Sequence, residues 1–480
     1  MREAIMSVGI DIGTSTTQLV FSRIEIENLA GAASVPRVQI VSKQVVYRSD
    51  IYFTPLFSSE TIDGERIREI VTAEYAKAGI KPEDLSAGAV IITGETARKE
   101  NARVVLDKLS GYAGNFVVAT AGSDLEGIIA GRGAGTAAIS KDEGKLMANF
   151  DVGGGTTNVA VFSNGEVAGT SCLDIGGRLV RISPDSRHVE YMTPKIKELA
   201  ASMNLGIREG RIASLDALSA LAARMASFID ELTGFAPESD MLDLFITSRR
   251  FRERFKLDGV TFSGGVADAV YAQGPADGAS RLFRYGDMGI MLGQAIRGTE
   301  IFKKVPVREP AETIRATVVG AGIHIVNVSG STISYTGDVF PLKNIPVLKV
   351  SPHDEADSFA NLGDGIAEKL RWFREDGGYQ QVAIGMSGAR SPSFDLVGEI
   401  ASQIARGARE ALAGWKLLIV IVEEDMAKAL GHALSHRLGD MDVVSIDSIR
   451  VENGDYVDIG SPLGQGRVVP VVVKTLVFGG

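Results

Sequence analysis

Two short segments of this chain have the residue types needed to hold a polyphosphate. Asp11-Ile12-Gly13-Thr14-Ser15-Thr16-Thr17 recurs in kind as Asp151-Val152-Gly153-Gly154-Gly155-Thr156-Thr157-Asn158. Each places an aspartate at the end of a β-like run, then a glycine turn, then hydroxyl residues entering a second run. Glycines let backbone N–H groups crowd around an anion and form a nest for phosphate oxygens. Threonine and serine hydroxyls add further donors. An aspartate aimed at phosphates is repelled unless a divalent cation lies between them, and magnesium binds through one or two carboxylates plus phosphate oxygens. Two such hairpins facing each other across a cleft would clamp a polyphosphate from both sides. Taken singly, each is equally an ordinary glycine-turn hairpin. A third segment, Val260-Thr261-Phe262-Ser263-Gly264-Gly265-Val266-Ala267-Asp268, puts glycines at a strand–helix junction, where a flat group such as adenosine can lie against backbone.

The patterns around these segments predict the elements that position them. Ser7–Ile12 and Gln18–Ile24 read as a strand and its returning partner, as do Ala148–Val152 and Asn158–Phe162, the latter followed by the hairpin signal Asn164-Gly165. Glu65–Ala78, Ala97–Leu109 and Ser214–Thr233 have helical spacing, the last stopped by Gly234. Ala89–Thr93, Phe116–Thr120 and Gly259–Phe262 read as buried strands, and Gly286–Arg297 as a helix. Lys303–Pro310, with two prolines and several charges, suits a linker. Beyond it, Ala316–Val319 and Ile323–Val328 look strand-like. Val382–Gly385, helix Asp395–Leu412, strand Trp415–Val422, helix Glu424–Leu438 and a β-like close from Asp455 follow. Alternation of this kind predicts an α/β protein.

In this order and spacing the three glycine segments resemble the phosphate-1, phosphate-2 and adenosine motifs of the actin, sugar kinase and Hsp70 superfamily. Ser123–Ala138 resembles its first connecting helix region, Asp287–Arg297 its second, and Leu173-Asp174-Ile175-Gly176-Gly177 the turn after phosphate-2. This resemblance covers about residues 5–300 and implies a two-lobed, ribonuclease H-like ATPase core. A closer one spans nearly the whole chain. Ile91–Ala102, Thr317–Gly322, Ser329–Ile333, Gly454–Gly460 and Pro470–Leu476 resemble the ethanolamine ammonia-lyase reactivating factor family. That family implies an ATP-dependent, chaperone-like protein that releases damaged cobalamin from stalled, adenosylcobalamin-dependent ethanolamine ammonia-lyase. It implies a slow ATPase acting as a switch, with ATP and Mg2+ as cofactors and the inactivated enzyme as partner.

The resemblance implies residue roles as well. Asp11 and Asp151 would hold magnesium through water. Gly13, Thr14, Ser15, Thr16 and Gly153, Gly154, Gly155, Thr156, Thr157 would contact phosphates. Ser263, Gly264, Gly265 and Val266 would face adenosine, and Glu126 would position the attacking water. Asn158 departs from the second aspartate found in many Hsp70-like members, and the turns carry no lysine, so slow turnover is expected. The implied organisation is a first lobe over residues 1–140, a second over 141–285, a connecting helix and linker over 286–310, and a C-terminal α/β domain over 311–480. The connecting helix at 286–300 would serve as the hinge between the lobes. Two other classes remain open from the residues: a small-molecule kinase of the same superfamily, which needs a base aspartate near the γ-phosphate, and an actin-like filament.

Other signals carry less. His432 and His436 have metal-ligand spacing on a helix, yet read more simply as surface histidines. Neither has the Asp-x-His-x-x-Gly context of a cobalamin ligand, since Leu434 stands where that aspartate would be. Arg249, Arg250, Arg252, Arg254 and Lys256, interleaved with Phe251 and Phe255, form a basic run that reads as a solvated helix face or a docking patch. Gly320-Ala321-Gly322 is too short for a dinucleotide site. The single cysteine, Cys172, excludes an internal disulfide framework and reads as a buried apolar residue. With 60 acidic and 50 basic residues in 480, the net charge of −10 argues against general nucleic-acid binding. No apolar run approaches the length of about 20 residues needed to span a membrane. The expected location is cytoplasmic, with association to a bacterial microcompartment suggested by the family resemblance alone.

Overall fold

A computed structural model describes residues 2–28, 38–58, 61–93, 96, 101–109, 118–120, 123–248, 250–251, 254–272, 274, 279–324, 327–329, 333–375, 378–452, 455–462, 466 and 468–475. Parts of the predicted motifs at 91–102, 249–256, 329–333, 454–460 and 470–476 lie outside these.

Three sheets organise the chain. In the first, the strands run edge to edge as Val38–Arg48, Thr16–Asn28, Arg2–Ile12, Leu85–Ile92 and Val118–Thr120. The first three are antiparallel and the last two join in parallel. That is the ribonuclease H-like order expected. The second sheet repeats it in shorter form: Glu166–Leu173, Thr157–Ser163 and Leu146–Val152 form an antiparallel meander, and Gly259–Ser263 joins Leu146–Val152 in parallel. An isolated parallel bridge from Val260 to Val307 stands where a fifth strand would continue. The linker predicted at 303–310 therefore contributes a sheet edge.

Apolar alternation explains why each sheet is buried. In the second lobe Phe150, Val152, Phe262 and Val260 point into a core closed by the helix Leu215–Thr233. Ser214 caps this helix by accepting from the Ala217 N–H, and Gly234, at φ 80°, ends it. The helix Gly289–Ile296 packs on Leu215–Thr233 and on Ala267–Tyr271, inside the second lobe.

One expectation is corrected here. Ala316–His324 is an α-helix where strands are expected at 316–319 and from 323, the strand expected over 323–328 keeping only Asn327–Val328 among the described residues, and this helix packs on Ser123–Gly133 and on the strand Arg2–Ile12. Ala316–His324, rather than Asp287–Arg297, is thus the second helix at the lobe junction, and the hinge assigned to 286–300 falls inside the second lobe. Its glycines allow the contact. A Cβ on Gly133 would lie 1.9 Å from the Ala316 carbonyl oxygen, one on Gly320 2.1 Å from that of Ile129, and one on Gly9 2.5 Å from that of Val318. The β-branched, glycine-rich sequence favours a strand locally, and packing against the two neighbouring backbones overrides that preference. The segment leading into this helix links both lobes: the Gly264 N–H donates to Thr313 O (3.1 Å), Ala311 N–H to Ala134 O (2.9 Å), and Gln18 Nε2 to Ile314 O (3.3 Å).

The C-terminal sheet holds four adjacent parallel strands, Leu342–Lys349, Ala383–Met386, Leu417–Val422 and Asp442–Ile446. The helices Leu362–Leu370, Phe394–Gly407 and Ala427–Leu438 share one buried cluster against it. Asp455–Ile459 and Pro470–Thr475 extend it as antiparallel strands beside Leu342–Lys349.

Candidate functional site: two aspartate hairpins across a cleft

The internal echo in the sequence is a repeated geometry in space. Ile12 pairs with Thr17 and Asp11 with Gln18 in the first hairpin, and Val152 pairs with Thr157 and Asp151 with Asn158 in the second. The Gly13 N–H donates to Thr16 O and the Gly153 N–H to Thr156 O, each at 2.9 Å. Each aspartate also receives one hydroxyl hydrogen bond. Thr93 Oγ1 donates to Asp11 Oδ1 at 3.1 Å, and Ser263 Oγ donates to Asp151 Oδ1 at 2.6 Å.

The two carboxyl groups are brought within electrostatic reach. Burial pushes Asp11 up to about 7; the Thr93 hydroxyl opposes this and the charge of Asp151 adds to it. Burial likewise pushes Asp151 up to about 6 against its bond from Ser263. Asp11 is 7% exposed and Asp151 4%. Two buried carboxylates without a neighbouring cation resist ionisation, and such a pair is the donor set that a magnesium ion with its waters would satisfy. Among the described residues no group of three or more His, Cys, Asp or Glu is arranged to hold a metal. Magnesium held by two carboxylates and phosphate oxygens needs no larger group.

The turns meet across the cleft. A Cβ on Gly154 would lie 2.2 Å from Ser15 Oγ, and that buried hydroxyl has no hydrogen-bond partner. An orphaned donor beside two glycine turns fits phosphate oxygens. The carbonyls of Gly153 and Gly154 are taken by the N–H groups of Gly177 (3.0 Å) and Arg178 (2.7 Å), which ties the Gly176-Gly177 turn beneath the second hairpin. Thr54 braces the first turn through its hydroxyl to Gly13 O (2.7 Å) and its N–H to Ser15 O (3.0 Å).

Several predicted site residues do other work. Thr157 is buried and its hydroxyl donates to Ile175 O (2.7 Å), which braces the turn. The Ser263 hydroxyl donates to Asp151. Val266 is buried, with its side chain against Gly177 and Gly289 and its N–H on Val152 O (3.1 Å). Gly264, at φ 87°, fits only because it has no Cβ, which would strike Val152 O at 2.4 Å. Gly265 alone of the four opens onto free space, with nothing within 4 Å of a Cβ. Thr14 and Thr16 stay on the first turn, the latter accepting weakly from Gln18 Nε2 (3.4 Å). On the second turn, Gly155 lies against Gly176, and Thr156 Oγ1 lies 3.5 Å from the donating Asn158 Nδ2. Glu126 is buried in the first turn of Ser123–Gly133, and its charge is among the smaller influences on Cys172.

Sequence reasoning missed Thr93, Thr54, Asn149 and Arg178. Arg178 is the most consequential. Its guanidinium lies over the ring of Phe53 in the first lobe, 5.5 Å from the centroid, and its stem adjoins Gly154. It is a basic side chain rooted beside the second turn and reaching the first lobe. Its place directly after Gly176-Gly177 was the available signal.

The weaker signals resolve simply. His432 and His436 are exposed on the helix Ala427–Leu438. Arg250 pairs with Glu238 and Asp243, and Phe251 and Phe255 pack edge to face against the second-lobe core. The described part of that stretch is irregular chain, not a helix face. Cys172 is fully buried in the strand Glu166–Leu173, and burial pushes its thiol up to about 12. Among the described residues no helix is long and apolar enough to cross a membrane.

The family described as ethanolamine utilisation protein EutA matches residues 3–479. The ethanolamine ammonia-lyase reactivase EutA of Salmonella typhimurium is 35% identical over 475 residues, which is 99% of this chain and 98% of that protein. Its Escherichia coli counterpart is 34% identical over 474 residues, with the same shares. Among solved structures, the Aquifex aeolicus member of the Ppx/GppA family aligns with a TM-score of 0.37 at 15% identity, over 66% of this chain and 97% of its own. At that score it bears on neither fold nor function.

Proposed function

This chain belongs to the ethanolamine utilisation protein EutA family, and from that premise we propose that it reactivates ethanolamine ammonia-lyase by a nucleotide-driven change in its grip on the stalled enzyme. The observation that carries the nucleotide part is the facing pair Asp11 and Asp151, each buried at the end of a matching hairpin and each held by one hydroxyl. The client follows from the family and its reactivase relatives.

Asp11 and Asp151 would hold a magnesium ion through its waters. The N–H groups and hydroxyls of the 13–16 and 153–156 turns would receive phosphate oxygens, with Arg178 adding positive charge. Gly265 would lie against the base. Magnesium–ATP held by these residues would supply the charge that draws the two turns, and with them the lobes, together. Buried Glu126 would orient a water at the cleft end of Ser123–Gly133. The helix Ala316–His324, packed on Ser123–Gly133 and on the strand Arg2–Ile12, carries lobe motion into the C-terminal domain. A full swing between two states, from 1:99 to 99:1, needs about 5.5 kcal/mol of differential binding. The chain performs no covalent chemistry on cobalamin; it loosens the client so that damaged cofactor leaves and intact adenosylcobalamin enters. The cytoplasm is the corresponding setting.

The test is release of cobalamin. Ethanolamine ammonia-lyase loaded with cyanocobalamin is incubated with the protein and magnesium–ATP, then separated by gel filtration. Cobalamin should leave the enzyme fraction only when both protein and nucleotide are present. Retention under all conditions would overturn the assignment.

A further inference from the structure

Behind Asp151 runs a chain of hydrogen bonds that no part of the nucleotide clamp accounts for. Thr136 Oγ1 lies 2.6 Å from Thr261 Oγ1, Thr261 Oγ1 donates to Asn149 Oδ1 (2.8 Å), Asn149 Nδ2 donates to Ser263 Oγ (2.9 Å), and Ser263 Oγ donates to Asp151 Oδ1 (2.6 Å). Thr136, Thr261, Asn149 and Ser263 are wholly buried. The geometry follows from register: Gly259–Ser263 lies parallel to Leu146–Val152, with Thr261 beside Asn149 and Ser263 beside Asp151. Residues two apart on a strand share a face, so all four side chains line one side of the sheet. The intervening positions, Phe150 and Phe262, stack at 5.4 Å in the core on the other side.

With Asp151 ionised, one set of proton directions satisfies the whole chain, Thr261 Oγ1 also lying 3.4 Å from Ala148 O. An ionised Asp151 only accepts, so the Ser263 proton points at it. Ser263 Oγ must then accept from an N–H, which fixes the amide of Asn149 with nitrogen toward Ser263 and oxygen toward Thr261. Thr261 therefore donates to Asn149, and Thr136 donates to Thr261. All four donors point one way, toward the carboxylate, and each polarises the next.

Among the described residues of the first lobe no such chain stands behind Asp11. Gly9 occupies the position two residues before Asp11, as Asn149 does before Asp151, and the backbone of Ala316–His324 fills the space a side chain would take. The two carboxylates thus share a front and differ in their support. The structure assigns Asn149 as a positioning residue: acting through Ser263, it holds the serine hydroxyl as a donor to Asp151 Oδ1 and so fixes the orientation in which Asp151 meets the metal's waters. This rests on the reading of Asp151 as part of a magnesium–nucleotide site.

Asn149→Asp tests it with almost no change in shape. An ionised aspartate there accepts on both oxygens, so it draws the Ser263 proton away from Asp151 and turns a lone pair on the carboxylate, and Ser263→Ala removes the same donor without adding a titratable group. Binding of a fluorescent ATP analogue is titrated with Mg2+, and thermal unfolding is followed alongside. Asn149→Asp and Ser263→Ala should each raise the Mg2+ needed for half-saturation about tenfold, the loss of one hydrogen bond to a charged group. The double variant should be no worse than Ser263→Ala. Thr261→Val, which frees the amide to flip, gives a smaller rise and serves if Asn149→Asp does not fold. Variants that lower the melting temperature but leave the Mg2+ requirement at the wild-type value would overturn the inference, as would additive effects in the double variant. If the wild-type protein itself shows no Mg2+-dependent nucleotide binding, the nucleotide reading fails first and is recognised separately.

Discussion

Asp11 and Asp151 occupy the same register position in two hairpins, and each carboxylate accepts one hydroxyl hydrogen bond, from Thr93 and Ser263 respectively. Their burial raises both, to about 7 and about 6. The pair is therefore costly to the metal-free protein and suited to a cation.

That cost sets a pH dependence. Asp11 titrates near 3.8 in the unfolded chain and about 7 in the folded one, so between those values the folded state holds the extra proton. Stability is greatest at the acidic end of this window and falls as pH rises through about 7. In EDTA the melting temperature should drop between pH 5.5 and 8, and Asp11→Asn should remove much of the drop. The carboxylate's contribution is at most about 4 kcal/mol. A flat profile in EDTA would contradict the burial of this group.

The glycines of the cleft should respond unequally. Gly265→Ala adds a methyl group where nothing lies within 4 Å, so the fold should tolerate it while nucleotide affinity falls by about tenfold or more if the base rests there. Gly154→Ala places Cβ 2.2 Å from Ser15 Oγ and should hold the turns apart, weakening phosphate binding for ATP and ADP alike. Calorimetric titration of both nucleotides separates the two effects.

Arg178→Ala removes the cation beside the second turn and its contact with Phe53 across the cleft. Affinity for nucleotide should fall, while Phe53→Leu, which keeps the charge, should cost less. Equal losses would indicate that the ring contact rather than the charge matters.

Gly133→Ala should be severely destabilising. The new Cβ would lie 1.9 Å from a backbone oxygen of Ala316, which no rotamer change relieves. Overpacking of this kind costs about 3 kcal/mol or more, and chemical denaturation would report it. A near-neutral result would place the helix Ala316–His324 elsewhere than on Ser123–Gly133.

Much of this site is legible in the residues. Asp11, Gly13, Asp151 and Gly153 form the hairpins their types predict, and Ser214 and Gly234 bound their helix as capping chemistry requires. What the sequence hides depends on long-range packing. Ala316–His324 has β-branched residues and glycines that read as strand, and only the backbones of Gly9, Ile129 and Gly133 make it a helix in place. Asn149 looks like any residue of a buried strand until the parallel partner brings Thr261 and Ser263 beside it. Ser263 and Thr157 lie within recognisable motifs, yet that their hydroxyls donate to Asp151 and Ile175 depends on partners distant in sequence.

The most direct measurement is recovery of ammonia release. Ethanolamine ammonia-lyase inactivated with cyanocobalamin is given this protein, adenosylcobalamin and magnesium–ATP, with nucleotide omitted in one arm and Asp11→Ala or Asp151→Ala used in others. Recovery with the wild-type protein and ATP, lost without nucleotide and in both variants, is the predicted result. Undiminished recovery without ATP, or with either aspartate removed, would contradict the account.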